Sequence, residues 1–262
     1  MPYKKLVANS NILLHIPHAS LIIPPEDREH FLLDDCALER EKLVMTDLHM
    51  DLMCENMQAN MLIFDISRLV IDMERYEDDS KEAMARYGMG VVYNNTHDGK
   101  PLRNNKEDYR ADLISKYYKP YHYELKTMCE DIARRHGKCI IFDIHSFPTE
   151  SINGVNYSEE LPDICIGFNG SEDTLAGLAG TYFEAKGYAV RMNYPYAGSI
   201  VPSGLSAAVG GNVESIMIEI NRNLYMNEDT GELSEGFRVI KDHIEQFLIS
   251  AGCQERPKTD PL

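Results

Sequence analysis

Six short apolar runs mark the chain at residues 11–16, 60–65, 139–144, 162–168, 188–192 and 213–220. The run 139–144 is the most uniformly apolar; Gly137 halts a helical pattern just before it and Pro148 follows shortly after. That punctuation reads as a buried strand of a mostly parallel sheet. The last run alternates around Ile216, Ile218 and Ile220 and carries Glu214 and Glu219. Helical periodicity lies between the runs. In residues 34–60, Leu38, Leu43, Leu48, Leu52 and Met53 fall near helical spacing, and Thr46 is read as an N-cap that restarts the helix, with Asp47 in its first turn. Residues 107–136 predict a long amphipathic helix broken at Pro120, with its tyrosines in packing roles. Residues 172–186 and 236–250 predict two more helices. The polar stretch 76–110 has little periodicity, and a loop of that length is usually functional or partly helical. Strands alternating with helices give an α/β fold with a mostly parallel sheet. The whole chain, 1–262, reads as one domain, with residues 252–262 as a frayed tail.

Composition excludes several classes. A formal net charge of −16 argues against nucleic acid or an anionic membrane as partner. No run reaches the roughly 20 apolar residues of a membrane helix. The start, Met1-Pro-Tyr-Lys-Lys, lacks the apolar core of a signal peptide. The six cysteines are scattered without a C-x-x-C pair, which fits free thiols and a cytoplasmic location.

Candidate chemistry gathers at predicted strand ends, where ligands bind in open α/β sheets. His18 lies just past the first strand, Asp47 in the helical region, Arg68 and Arg75 after the second strand, His145 at the end of the central strand, and Glu219 on the last. Two histidines and a carboxylate are the donor set of a catalytic zinc site. A further glutamate could serve as general base, and arginines could stabilise an oxyanion or bind a carboxylate. His15 is expected to be a satisfied core histidine and His97 an exposed loop residue. Asp143 is expected on the strand face opposite His145 and is not counted as a ligand. A metal-free esterase is disfavoured because no G-x-S-x-G elbow is present.

Six segments in order, covering roughly residues 12 to 226, resemble the N-formylglutamate amidohydrolase family: Ile16-Pro-His-Ala, Thr46-Asp47, Ser67-Arg68 through Asp72 to Arg75, Asp143-Ile-His145-Ser146, Tyr196-Ala-Gly198, and Ile218-Glu219 through Arg222 to Met226. The resemblance implies a three-layer domain like the zinc carboxypeptidases and aspartoacylase. It implies a zinc-dependent hydrolase of linear amides, acting on a small anionic N-formyl or N-acyl amino acid such as N-formylglutamate. On this resemblance, His18, Asp47 and His145 would hold one zinc ion or another divalent metal, with His49 as runner-up for the carboxylate position. Glu219 would be general base and acid, and Arg68 would polarise the carbonyl. Arg75, Arg222 and Gly198 would contact the substrate. A homo-oligomer is compatible with the resemblance.

Two departures matter. The carboxypeptidase pattern has a carboxylate ligand three residues after the first histidine, and Leu21 stands there. The pattern Asp-x-Asn-Arg is here Asp72-Met-Glu74-Arg75. An inward Glu74 would repel an anionic substrate or bind a cationic one; an outward Glu74 would be a solvated partner of Arg75. The alternative reading is an inactive or divergent small-molecule-binding member of the same fold.

Overall fold

The computed structural model describes residues 2–104, 107–153, 155 and 157–252. The expected frayed tail lies outside them, apart from Gly252, which closes a helix. Seven strands form one mixed sheet: β1 (Tyr3–Leu6), β2 (Ile12–Ile16), β3 (Asn60–Phe64), β4 (Cys139–Phe147), β5 (Ile164–Gly167), β6 (Val190–Met192) and β7 (Val213–Asn221). Their order across the sheet is β1-β3-β2-β4-β7-β5-β6. The β3, β2, β4 and β7 strands run parallel, while β1 and the β5–β6 pair join antiparallel to β3 and β7. The helices are α1 (Pro25–Arg28), α2 (Asp35–Met45), α3 (Met50–Met53), α4 (Glu107–Leu113), α5 (Lys119–His136), α6 (Thr174–Ala185) and α7 (Gly236–Gly252).

Period-two alternation divides the sheet's two faces. Ile12, Leu14, Ile140, Phe142, Ile144, Ile216 and Ile218 pack with α6 and α7 residues such as Phe183, Ile244 and Phe247. Leu13, Cys139 and Ile141 pack with Leu125, Met128 and Ile132 of α5 and with the segment after β3. Each large apolar side chain so buried contributes about 1.5–3 kcal/mol by leaving water. On this second face the strands change character along their length. Cys139 and Ile141 give way to Asp143 and His145 on β4, and Leu13 gives way to His15 on β2. The face is apolar at the strands' amino ends and ionisable at their carboxyl ends.

Helix boundaries follow local chemistry. Asp34 accepts from the Ala37 N–H at 2.8 Å and Asp173 from the Ala176 N–H at 2.9 Å, capping α2 and α6. Gly137 ends α5 at φ +79°, a conformation glycine adopts without strain. The break expected at Pro120 is not a break there: the backbone stays helical from α4 to α5 through a π-helical turn, Ile114–Tyr118, and the proline occupies the first turn of α5. Two expectations for residues 34–60 are corrected. They form two helices, and Thr46 caps the C-terminus of α2 rather than the N-terminus of a new one. The second helix, α3, opens instead at His49, which has φ +70°. The apolar pattern gives no sign of β1, because Tyr-Lys-Lys-Leu is a mostly exposed edge.

The stretch 76–110 is anchored rather than loose. It contains a 3₁₀ turn (Ala83–Tyr87) and buries Met89, Val91, Val92, Tyr93 and Leu102. His97, expected to be exposed, is only partly so: Glu41 accepts its backbone N–H at 2.7 Å and lies 2.6 Å from its Nδ1.

Candidate active site

A cavity of about 640 Å³ opens over the carboxyl ends of β2, β4 and β7. His18, Asp47, Arg68, Glu74, Arg75, Asp143, His145, Gly198, Glu219 and Arg222 all line it. Every residue expected at the site, except the runner-up His49, therefore borders this one cavity.

Backbone pairing places the strand-borne groups. His145 and Glu219 are direct neighbours across the β4–β7 ladder, and His15 pairs with Asp143 across β2–β4. The expectation that Asp143 faces away from His145 is overturned. Residues two apart on a strand share a face, and Asp143 Oδ1 lies 2.9 Å from His145 Nε2. Just beyond β2, the Asp47 N–H donates to the His18 carbonyl at 3.0 Å, which brings the Asp47 loop beside that histidine.

The two histidines present their Nδ1 atoms inward. These lie 3.3 Å apart, and Asp47 Oδ2 lies 2.9 Å from His145 Nδ1 and 3.5 Å from His18 Nδ1. Their Nε2 atoms face outer carboxylates: His18 meets Asp72 at 2.8 Å, and His145 meets both Asp143 and Glu74, the latter at 3.0 Å. Those carboxylates hold the N–H on Nε2 of each ring and leave the Nδ1 lone pairs pointed at each other and at an anion. That convergence repels itself unless a cation lies among the three atoms. A zinc-type donor set of two imidazoles and one carboxylate, each imidazole steadied by a second carboxylate, meets the requirement. Without metal, a proton meets it. Burial lowers the His145 pKa, but the Glu74 and Asp143 charges raise it well above the usual histidine value. Burial and Arg68 lower that of His18, yet Asp72 and Asp47 leave it raised. Burial would raise the Asp47 carboxyl, but its two imidazole partners hold it far below the ordinary range.

Asp72 organises the loop side. It is fully buried, accepts from Arg68 Nη2 at 2.7 Å and from the Glu74 N–H at 2.9 Å, and also accepts the Tyr93 hydroxyl. Burial raises its carboxyl, and Arg68, His18 and Arg75 more than reverse that. Arg75 Nε stands 3.9 Å from Asp72 and has no hydrogen-bond partner of its own among the described residues. Arg222 is engaged elsewhere: it donates to Ser146 Oγ at 3.2 Å, the Val44 carbonyl at 2.6 Å and Asp47 Oδ1 at 3.2 Å, so it fixes Asp47 from behind.

Glu219 is buried, and its Oε2 has no hydrogen-bond partner among the described residues. Burial pushes its carboxyl up, the His145 charge opposes, Asp47 and Glu74 add to the rise, and the result is about 8. Gly198 adopts φ +86° at the rim. A Cβ on Gly167 of β5 would strike the Gly198 carbonyl, so the rim loop lies directly on that strand. His49 does not line this cavity, and its Nε2 lies 2.7 Å from the Gly231 carbonyl. Sequence reasoning does not place His15, Asp143 or Tyr93 in the centre, and it leaves the direction of Glu74 open. For His15 and Asp143 a signal exists, because they interrupt the apolar odd positions of β2 and β4.

A sheet with an ionisable centre at its strand ends, combining a buried glutamate of raised pKa, paired histidines and arginines, defines an α/β protein with its candidate chemistry at the strand ends. Sequence comparison gives that class a family. The profile of the N-formylglutamate amidohydrolase family matches residues 10–226, and the chain belongs to that family. It matches no curated protein sequence. Among solved structures, it is similar to an N-formylglutamate amidohydrolase from Ralstonia eutropha JMP134, with a TM-score of 0.79, 23% identity, and coverage of 95% of this chain and 97% of that one. It is also similar to the gene product Atu2144 from Agrobacterium tumefaciens, with a TM-score of 0.66, 22% identity, and coverage of 95% and 93%. These likenesses extend the fold over nearly the whole chain. No helix among the described residues is long and apolar enough to cross a membrane.

Proposed function

We propose that the protein is a zinc-dependent amidohydrolase that cleaves the amide of an N-formyl or N-acyl amino acid. The observation that carries this reading is the convergence of His18 Nδ1, His145 Nδ1 and Asp47 Oδ2, with each outer Nε2 held by a carboxylate. These three residues would hold the ion. Bound zinc supplies a Lewis acid and lowers the pKa of a bound water to about 7.

The chain's own residues would do the rest. Glu219 takes the proton from the attacking water and returns it to the leaving nitrogen. Its burial and unpartnered oxygen suit it to hold a proton between those events. Arg68, pinned by Asp72 and Tyr93, presents its remaining edge toward the developing oxyanion. Arg75, the arginine with an unsatisfied buried Nε beside the cavity, binds the substrate carboxylate. Arg222 keeps Asp47 in place, and the Gly198 rim borders the substrate. Glu74 points inward, so the cavity carries more negative charge than a neutral residue there would give. Neutral or cationic amino-acid side chains are therefore favoured over glutamate as the leaving half.

The test is metal content by elemental analysis of protein purified without chelator or polyhistidine tag, together with hydrolysis of a panel of N-formyl and N-acetyl amino acids. Zinc lost in both His18→Ala and His145→Ala, and turnover of at least one panel member, is the expected result. Wild type that binds no zinc even when zinc is added would overturn the reading.

A further inference from the structure

On the far side of His145 lies a second convergence of metal-binding atoms. His15 Nδ1 is 2.7 Å from Asp143 Oδ1 and 3.6 Å from Glu74 Oε1. One donor atom from each of His15, Glu74 and Asp143 lies within 4.8 Å of the others, and the same holds for His18, Glu74 and His145. Glu74 is the residue common to both trios, and its two oxygens are already divided between them. Oε2 is the one near His145, at 3.0 Å, and His18, at 4.0 Å, whereas Oε1 is the one near His15.

Charge makes the second trio more than a packing detail. Asp143 is 1% exposed, and the Glu74 side chain is 16% exposed. Among the described residues, no lysine or arginine comes within 4.0 Å of either carboxylate; their ion-pair partners are His15, His18 and His145. The Asp143 carboxylate also accepts the Ile200 N–H at 3.3 Å. Of these imidazoles only His15 and His145 lie within hydrogen-bond distance of the two poorly solvated carboxylates, and a cation held between the carboxylates would relieve their mutual repulsion. A mixed imidazole and carboxylate set suits zinc, manganese, iron or cobalt. Glu74 also lines the main cavity, so an ion has a path to it.

We infer that this chain binds two divalent ions, the second held by His15, Asp143 and Glu74 at the Nε2 edge of His145, across that ring from the ion of the first position. The inference rests on the hydrolase reading above for the first ion and adds the second. It gives Glu74 a place, as a ligand of the second ion beside the Nε2 edge of His145. The departure at this position then alters the metal centre itself, in addition to the charge met by substrate.

The experiment is zinc titration of the chelator-stripped full chain by calorimetry, with bound zinc counted after gel filtration, on wild type, Glu74→Gln and His15→Asn. Expected are two zinc ions per chain in wild type and one in each variant, with the second ion weakened at least tenfold. Melting temperatures of the metal-free variants, and retention of the first ion, show that they fold. Should Glu74→Gln fail to fold, His15→Asn carries the comparison. A single ion in wild type at saturating zinc overturns the second position and leaves the first intact. No ion overturns both readings. Two ions in wild type and two in Glu74→Gln, at unchanged affinity, overturn the place of Glu74 among the ligands of the second ion.

Discussion

His145 and Glu219 are placed by backbone ladders, whereas Arg68 and Glu74 are placed by one buried carboxylate. The strand-borne half of the centre inherits its spacing from β4–β7 pairing, which puts the two residues side by side. That spacing depends on many shared backbone hydrogen bonds and survives the loss of any one side chain. The loop-borne half depends on Asp72, which gathers His18, Arg68, Glu74 and Tyr93 at a single side chain. Chemistry on the strands is therefore separable from stability, and chemistry on the loop is not.

Three substitutions, one of them read in two ways, sharpen this contrast. Glu219→Gln is expected to lower turnover by about 10²–10⁴-fold while zinc content and fold persist, as steady-state kinetics and elemental analysis would show. Near-normal turnover would remove Glu219 from proton transfer. Asp72→Asn is expected to destabilise the protein by about 3–5 kcal/mol, because Arg68 is left buried without its ion-pair partner. Urea unfolding measures it, and a loss below about 1 kcal/mol would break the distinction between the halves.

The third effect concerns the metal-free protein. The Glu219 carboxyl titrates near 8 in the folded chain against an ordinary value of 4.5, so its contribution is favourable below the lower value and is lost as pH rises through the higher one. Metal-free Glu219→Gln should therefore gain stability over wild type between about pH 5 and pH 9, by on the order of a few kcal/mol at the upper end. Parallel wild-type and variant melting curves across that range would contradict it. Last, His49→Ala should cost under about 1 kcal/mol through its lost bond to the Gly231 carbonyl, leaving zinc stoichiometry unchanged. A changed zinc count in that variant would return His49 to the metal site.

The same division explains what is legible in the sequence. Apolar runs bounded by glycine, proline and polar residues locate β2 through β7, and His18, His145 and Glu219 sit at or just past the ends of such runs. The edge strand β1 escapes because two lysines on an exposed edge leave no periodic signal. Asp143 is misplaced when a separation of two residues from His145 is taken to change the strand face, whereas it keeps both on one face. The alternation of Ile140, Phe142 and Ile144 against Cys139, Ile141, Asp143 and His145 carries the right answer. The loop half is harder for a physical reason. Tyr93 and Asp72 meet across 21 residues through a polar contact, and buried ion clusters have no periodicity to reveal them. Glu74 stands out as a departure, but its direction depends on how Asp72 holds its backbone N–H.

Gly167 carries one more consequence. Because the rim carbonyl of Gly198 rests where a side chain on that residue would go, any replacement there has to lift the rim away from β5. The same Cβ would press on Met217 of β7, two residues from Glu219, so the cavity wall is set from both sides of that one position. Gly167 thus works as a gauge for the width of the cavity mouth, and the shortest side chain, in Gly167→Ala, is already enough to reset it.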